Sequence, residues 1–291
     1  MIQSCFTDKT NIFEIKTDGL IQFNTTDVKR FNAIAKEISK QTGVPKKLIY
    51  KAPYLFNLNH WHKIDGEWYF YKSDDSKFHF INELLGEVIS NYFGLDTINY
   101  QVAKLSIIGK KEEYGLISKN FCDKKYTYKS CTDYDLTPRR DLSILEYIRN
   151  ICQTEEEYQL LLDDLKKFFI RDFYTSQKDR TINNFLFKVT KEGKRLAPLY
   201  DYEYSFASLD LEIYRNQIAE INLKDKETKK LLRHDPKFQE LLNLIINANM
   251  ATLIEEVEDK HQILVPDHYK TNYKHHDSEI KRLILKHKLI K

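Results

Sequence analysis

The sequence predicts an α+β fold with two lobes: a small lobe with a mixed β-sheet, residues 1–120, and a mainly helical lobe, residues 121–291. Two observations support this division. Within residues 67–120 the pattern alternates in the order strand, helix, strand, strand. After residue 143 most of the chain has the spacing of amphipathic helices. A chain of 291 residues is long enough for two lobes that share a cleft.

Helices and strands of the small lobe are predicted from periodicity and from the residues that start and stop them. Asp65-Gly66 is a turn signal ahead of an aromatic strand, and Gly94 stands where a helix C-terminal glycine is expected. The predicted elements are a helix over 28–41, a strand over 67–72, a helix over 80–93, and strands over 101–108 and 114–120.

The large lobe is predicted to be helical except around two short apolar strands. Gly193 lies in the turn between these strands, and a polar loop precedes them. The predicted elements are a loop over 121–140, a helix over 143–173, a loop over 175–184, strands over 185–189 and 196–200, and helices from about 210 with a break at 266–277.

The composition excludes several classes of protein. Forty-six basic and 43 acidic residues are interspersed and leave a net charge of +3, so direct nucleic-acid binding is not expected. No apolar run is long enough to span a bilayer, and the first residues lack the layout of a signal peptide. We therefore expect a cytoplasmic protein. Four cysteines without a CxxC pair predict neither structural zinc nor disulfides.

The polar loop and the hairpin after it carry residues whose spacing suits phosphoryl transfer. Asn184 follows Asp179 by five residues, and Asp201 follows the two short strands. In protein kinases, one Asp orients the acceptor hydroxyl and takes its proton, while an Asn and a second Asp hold Mg²⁺. An Asp-x4-Asn spacing alone is common in turns, so the prediction depends on the hairpin and on Asp201.

A strand and the helix after it supply the other half of such a site. Lys72 closes the aromatic strand 67–72, and Glu83 lies in the next helix. In kinases a strand lysine contacts the ATP phosphates and is held by a helix glutamate. We expect Lys72 and Glu83 to form this ATP-binding pair, with Glu87 as the alternative partner.

The segments Asp179-Arg-Thr-Ile-Asn-Asn184-Phe-Leu-Phe and Leu196-Ala-Pro-Leu-Tyr-Asp201 resemble the signature of the HipA-like serine/threonine kinases. In that family the loop reads Asp-x-His-x-x-Asn-Phe and is followed by a segment similar to Ala-Pro-x-Tyr-Asp. The resemblance covers about 160–206 and, more loosely, 67–120. It implies a two-lobed protein-kinase-like fold with ATP and Mg²⁺ as cofactors.

Carried over to this chain, the resemblance makes Asp179 the catalytic base and Asn184 and Asp201 the Mg²⁺ ligands. Thr181 stands where the family has His, which affects the ordering of the loop and not the metal chemistry. The chain is also short for the family, so we expect a form that has only the kinase core.

The sequence departs from kinases ahead of the Lys72 strand. No glycine lies between Gly43 and Gly66, so neither a kinase Gly-rich loop nor a Walker A motif is present. The counterpart of the phosphate loop is expected within 54–63, where Asn57 and Asn59 would bind ATP through their side chains.

The resemblance implies the toxin of a bacterial toxin–antitoxin system, with an antitoxin protein as partner. Its protein substrate would be an aminoacyl-tRNA synthetase or another translation factor. Two alternatives stay open. The same Asp/Asn/Asp chemistry serves kinases that act on small molecules or lipids, and the missing Gly-rich loop suits a catalytically silent nucleotide-binding pseudokinase.

Overall fold

The computed structural model describes residues 2–17, 35–37, 39–41, 43–44, 60–73, 76–107, 112–123, 125–134, 145, 148–177, 186–206, 221 and 223–290. Within these ranges the strands of one sheet fall in the first part of the chain. A second, smaller sheet and five long helices follow. The boundary between lobes at residues 120 and 121 stays a prediction.

The first sheet has five strands in the spatial order β1-β4-β5-β3-β2. β1 runs parallel to β4, and all other neighbours are antiparallel. Asp65 and Gly66 join β2 to β3, with φ of 50° and 82°, as a two-residue hairpin turn requires. The strands are β1 (Phe13–Thr17), β2 (His60–Ile64), β3 (Glu67–Ser73), β4 (Tyr100–Ile107) and β5 (Glu113–Lys119).

Helix α1 (Lys77–Tyr92) lies between this sheet and the helices of the large lobe. It begins after Ser76, whose hydroxyl accepts the N–H of His79, and Gly94 follows its C-terminus with φ of 65°. Every residue from Phe80 to Ser90 is buried, polar ones included. A helix covered on all sides must find partners for its buried polar groups, and those partners form the candidate site.

The second sheet is antiparallel in the order β6-β7-β8, and helix α2 packs against its β8 strand. Thr154 caps α2 by accepting the N–H of Glu157, while Glu157 accepts the N–H of Gln153 in return. The elements are β6 (Thr127–Ser130), α2 (Glu155–Tyr174), β7 (Leu186–Val189) and β8 (Lys194–Leu196).

Four helices complete the chain, and a sharp boundary separates each from the next. Asp235 ends one helix and caps the following one, which has Pro236 in its first turn. The helices are α3 (Lys226–His234), α4 (Pro236–Asn247), α5 (Met250–His261) and α6 (Asp267–Lys286). None of the helices in the described part of the chain is long and apolar enough to cross a lipid bilayer.

The main hydrophobic core fills the space between the sheet, α1, α2 and the C-terminal helices. Val102 of β4 and Leu116 of β5 point into it. Their neighbours Ala103 and Ile117 point to the opposite face and pack with Tyr71 in a smaller core. The alternation follows from the two-residue period of a strand.

Several predicted boundaries differ from the observed ones. The strand predicted over 196–200 is β8, which ends at Leu196; Pro198 has no N–H to donate to a ladder. The helix predicted over 143–173 is interrupted, because a 3₁₀ turn over Ile148–Ile151 precedes the capping residue Thr154. The loop predicted over 121–140 contains β6.

One further expectation is corrected. The predicted break at 266–277 lies almost entirely within α6; the chain turns at Gln262, with φ of 51°, and α6 begins after Pro266. Of the segment 54–63 in which the phosphate loop is expected, residues 60–63 belong to β2 and residues 54–59 lie outside the described residues, so this loop stays a prediction. Of the helix predicted over 28–41, residues 35–37 and 39–41 are described and helical.

Candidate active site

The predicted ion pair between a strand lysine and a helix glutamate is present. Lys72 of β3 donates from Nζ to Oε1 of Glu83 in α1 at 2.5 Å. Gly115 on β5 lets the two strands approach at this point, since a Cβ there would lie 2.2 Å from the Lys72 carbonyl oxygen. The lysine therefore enters the site from a strand whose main chain is fixed by its neighbour.

The second carboxylate oxygen of Glu83 also accepts hydrogen bonds. Oε2 accepts the hydroxyl of Tyr100 at 2.7 Å and the backbone N–H of Tyr202 at 2.9 Å. The Glu83 side chain is only 1% exposed. Burial of a carboxylate is tolerated when a cation and hydrogen-bond donors replace its water. Glu83 is thus the fixed centre around which the other groups are placed.

Asp201 lies beside the same lysine, with Lys72 Nζ 3.2 Å from its Oδ1. Its backbone has φ of 66°, and its carbonyl oxygen accepts from Nε2 of Gln177 at 2.8 Å. Just before it, the N–H of Leu199 donates to the carbonyl of Asp96. These bonds fix the main chain at and before Asp201, whose side chain is 30% exposed.

A third carboxylate contacts Lys72, and the sequence did not single it out. Oε2 of Glu203 lies 2.7 Å from Lys72 Nζ. The carbonyl oxygen of Glu203 accepts from Nδ2 of Asn82 in α1 at 2.8 Å. The only sequence signal is an acidic residue two positions after Asp201, and an acidic residue at a turn is too common to be informative.

The charges at this cluster shift the pKa values of its members. Burial by itself lowers the pKa of Lys72, but Glu83, Asp201 and Glu203 outweigh it and hold that pKa well above its usual value. Burial raises the pKa of Glu203 to about 7; Lys72 opposes the rise, and Asp201 and Glu83 add to it. Burial, with Glu83 next, keeps the pKa of Tyr100 high, so its hydroxyl stays a donor.

Tyr202 packs the segment after Asp201 against two helices. Its ring lies 4.2 Å from the guanidinium of Arg171, which is fully buried in α2. On the α1 side, a Cβ on Gly86 would be 2.4 Å from Cγ of Tyr202. The Tyr202 hydroxyl is 2.6 Å from Oγ1 of Thr97. Only a glycine in α1 allows this close approach.

The C-terminal helices hold α1 in place. The hydroxyl of Tyr273 in α6 donates to Oδ1 of Asn82 at 2.9 Å, and Lys260 of α5 donates to Oε1 of Glu87 at 2.5 Å. Glu87 was the alternative partner of Lys72. That alternative is wrong, because Glu87 lies one turn further along α1 and is paired with Lys260.

Of the predicted site residues, the structure brings together Lys72, Glu83 and Asp201. The other four, Asp179, Asn184, Asn57 and Asn59, lie outside the described residues. The roles assigned to all seven stay predictions.

The donor set of the described part of the site suits a magnesium–nucleotide complex. Carboxylate oxygens are the ligands that Mg²⁺ prefers, and one oxygen each of Glu83, Asp201 and Glu203 lie within 4.8 Å of one another. Glu83 is bound to Lys72, Tyr100 and Tyr202, so of the predicted metal ligands the described residues contain Asp201. The ammonium group of a lysine such as Lys72 is of the kind that commonly binds phosphate in proteins.

Comparisons with known proteins agree with this arrangement at the level of the fold. No protein-family model matches the sequence, and a search of the curated proteins gives no match. Among solved structures, the Helicobacter pylori proinflammatory kinase CtkA matches with a TM-score of 0.56 and 16% identity, over 77% of this chain and 90% of CtkA.

A chain of the Shewanella oneidensis MR-1 toxin–antitoxin complex of HipA, HipB and operator DNA matches over 96% of this chain and 72% of its own length. Its TM-score is 0.49 and its identity 12%. The likeness to the CtkA kinase is one of fold, and at that level it confirms the kinase-like architecture that the resemblance seen in the sequence implies. The chain therefore has the predicted two-lobed α+β, protein-kinase-like fold.

Proposed function

We propose that this chain is an ATP- and Mg²⁺-dependent phosphotransferase of the HipA-like serine/threonine protein kinase type. The observation that carries the proposal is the Lys72–Glu83 ion pair, at 2.5 Å between β3 and α1, with Asp201 3.2 Å from the same lysine. This is the set of contacts with which kinases fix the phosphate-binding lysine next to the metal-binding aspartate.

In the proposed reaction each residue has one task. Lys72 binds and orients the phosphates, and Glu83 keeps the lysine in place. Asp201, with Asn184, holds Mg²⁺, which would neutralise phosphate charge when bound. Asp179 orients the acceptor hydroxyl and takes its proton, a contribution of roughly 10²–10⁴ in rate. Asn57 and Asn59 would donate side-chain hydrogen bonds to the nucleotide.

The cellular role is proposed from the sequence resemblance alone. The kinase would be the toxin of a toxin–antitoxin system in the cytoplasm, restrained by an antitoxin protein. Its substrate would be an aminoacyl-tRNA synthetase or another translation factor. Expression in a bacterial host tests this role: growth arrest that Asp179→Ala relieves supports it, and normal growth with the active enzyme contradicts it.

A catalytically silent nucleotide-binding module is the second candidate. Glu203 Oε2 lies 2.7 Å from Lys72 Nζ, at the group that should bind phosphate. The absence of a Gly-rich loop points the same way. The presence of Asp179, Asn184 and Asp201 in the sequence favours an active enzyme instead.

Transfer of label from γ-labelled ATP with Mg²⁺ to the purified chain tests the proposal. Asp179→Ala and Asp201→Asn should abolish the label, while Lys230→Ala, at an exposed position on α3, should retain it. No protein label, with ATP still raising the melting temperature, favours the silent module. Label on an added metabolite or lipid favours a small-molecule or lipid kinase. Neither label nor a thermal shift overturns the proposal.

A further inference from the structure

The three N–H donors of the Lys72 ammonium group are matched by three carboxylate partners. An ammonium group has three N–H bonds, and three carboxylates surround this one, at 2.5 Å for Glu83, 2.7 Å for Glu203 and 3.2 Å for Asp201. A phosphate oxygen that binds Lys72 must therefore take over a donor from one of them. Which carboxylate withdraws follows from how each is held.

Glu83 cannot withdraw. Its side chain is 1% exposed, and its second oxygen is bound by Tyr100 and by the N–H of Tyr202. Moving it would leave an ionised carboxylate and two donors buried without partners.

Asp201 is expected to stay near the phosphates when the nucleotide binds. In the proposed function Asp201 would hold Mg²⁺, so the nucleotide and Asp201 would share a cation without opposing each other. Its backbone is also fixed by Gln177, which donates to its carbonyl oxygen at 2.8 Å.

Glu203 is held differently. Its carbonyl oxygen accepts from Asn82 at 2.8 Å, so the main chain is anchored while the side chain, 21% exposed, can rotate toward solvent. Rotation about the side-chain bonds breaks the contact with Lys72 and leaves the bonds of Asn82 and Tyr202 intact.

We propose that Glu203 competes with the nucleotide's phosphates for Lys72 and thereby lowers the affinity for ATP. This inference rests on the proposed function and adds to it a residue that sets nucleotide affinity. Binding of ATP replaces the Lys72–Glu203 contact by a Lys72–phosphate contact. Glu203 then turns outward.

Calorimetric titration of the full chain with ATP and Mg²⁺, and separately with adenosine, tests the competition. Glu203→Gln removes the charge and weakens the hold on Lys72, so the Kd for ATP should fall roughly tenfold. Adenosine has no phosphate, so its Kd should stay unchanged. Glu203→Asp is the matched control for charge: it keeps the carboxylate but is one methylene too short to reach Lys72. Competition predicts tighter ATP binding for both variants.

The other outcomes are also decisive. A gain for Glu203→Gln alone means general repulsion between like charges and overturns competition. Unchanged or weaker ATP binding in both variants means that Glu203 is neutral or helps to bind the nucleotide, which also overturns it. ATP binding to none of the three proteins refutes the proposed function itself, and this inference falls with it.

Discussion

The carboxylate of Glu83 accepts a hydrogen bond from the backbone N–H of Tyr202 at 2.9 Å, although 119 positions separate the two residues. The same carboxylate pairs with Lys72 through its other oxygen. One buried side chain therefore positions both the lysine of β3 and the segment that begins with Asp201. The geometry of the candidate site depends on that carboxylate being in place.

Glu83→Gln should lower the free energy of unfolding by about 1–3 kcal/mol. The amide removes the charge opposite Lys72 and turns an N–H₂ group toward donors. Chemical denaturation measures the change, with Glu255→Gln on the exposed side of α5 as control. Equal losses in the two variants would contradict a structural role for the Glu83 charge.

Gly86→Ala should destabilise the protein, although alanine is the better helix former by about 1 kcal/mol. The added Cβ would lie 2.4 Å from Cγ of Tyr202, and such overpacking costs about 1–3 kcal/mol in a filled core. A double-mutant cycle with Tyr202→Ala checks the cause. Strict additivity, or a gain in stability for Gly86→Ala, would show that the two residues do not conflict.

Tyr273→Phe should cost about 1–2 kcal/mol, because it leaves Oδ1 of buried Asn82 without its donor. Tyr269→Phe is the matched control: Tyr269 lies one turn earlier in α6, is partly exposed, and its hydroxyl makes no hydrogen bond within the described part of the chain. Thermal unfolding of both variants measures the difference. A Tyr273→Phe protein as stable as Tyr269→Phe would refute the role of this hydrogen bond.

Stability should decrease as pH falls from about 6.5 to 4, in part because of His261. Burial, with nearby Lys260, lowers the pKa of His261 to about 4, whereas an unfolded histidine titrates near 6.5. The unfolded state therefore takes up the proton first. The contribution of His261 is complete above pH 6.5 and is lost toward pH 4, up to about 3 kcal/mol.

His261→Gln provides the comparison for this pH dependence. Groups that do not contact His261 titrate alike in both proteins; Glu87, whose Oε2 lies 3.6 Å from Nε2 of His261, is the exception. Loss of the His261 contribution should make the stability difference between wild type and variant shrink as the pH is lowered from 7 to 4.5. Denaturation curves at several pH values measure it. Parallel pH profiles would mean that His261 takes up a proton as readily in the folded state as in the unfolded state.

Local patterns predicted the elements whose signals are local. The helix predicted over 80–93 and the strand over 67–72 have strong periodicity and clear turn residues, and they are α1 and β3. β1 was not predicted. It is five residues long and pairs in parallel with β4, which lies more than 80 residues later in the chain. The sequence next to β1 therefore does not indicate this pairing.

The surface composition of α6 wrongly indicates a loop. Residues 266–277 are rich in Asn, His and Lys, which resembles a loop, but most of these side chains face solvent while Tyr273 and Asp277 face the interior. The solvent-exposed face of a helix has the composition of a loop, so composition alone does not reveal the helix.

The candidate site was predictable where chemistry and spacing coincide within a short segment. Lys72 and Glu83 are 11 residues apart, on a strand and the helix that follows. The roles of Asn82 and Glu203 depend on contacts between residues far apart in the sequence, and periodicity does not predict such contacts. Asn82 stands next to Glu83 in the sequence, and nothing in the local pattern distinguishes it from other polar residues.

The buried polar face of α1 has a consequence for the order of folding. Its partners come late in the chain: the hydrogen bonds of Glu83, Asn82 and Glu87 reach across 119, 191 and 173 positions. Until those partners emerge from the ribosome, α1 exposes polar groups that the sheet alone cannot satisfy. The polar contacts of α1 can therefore be completed only after most of the chain has been synthesised.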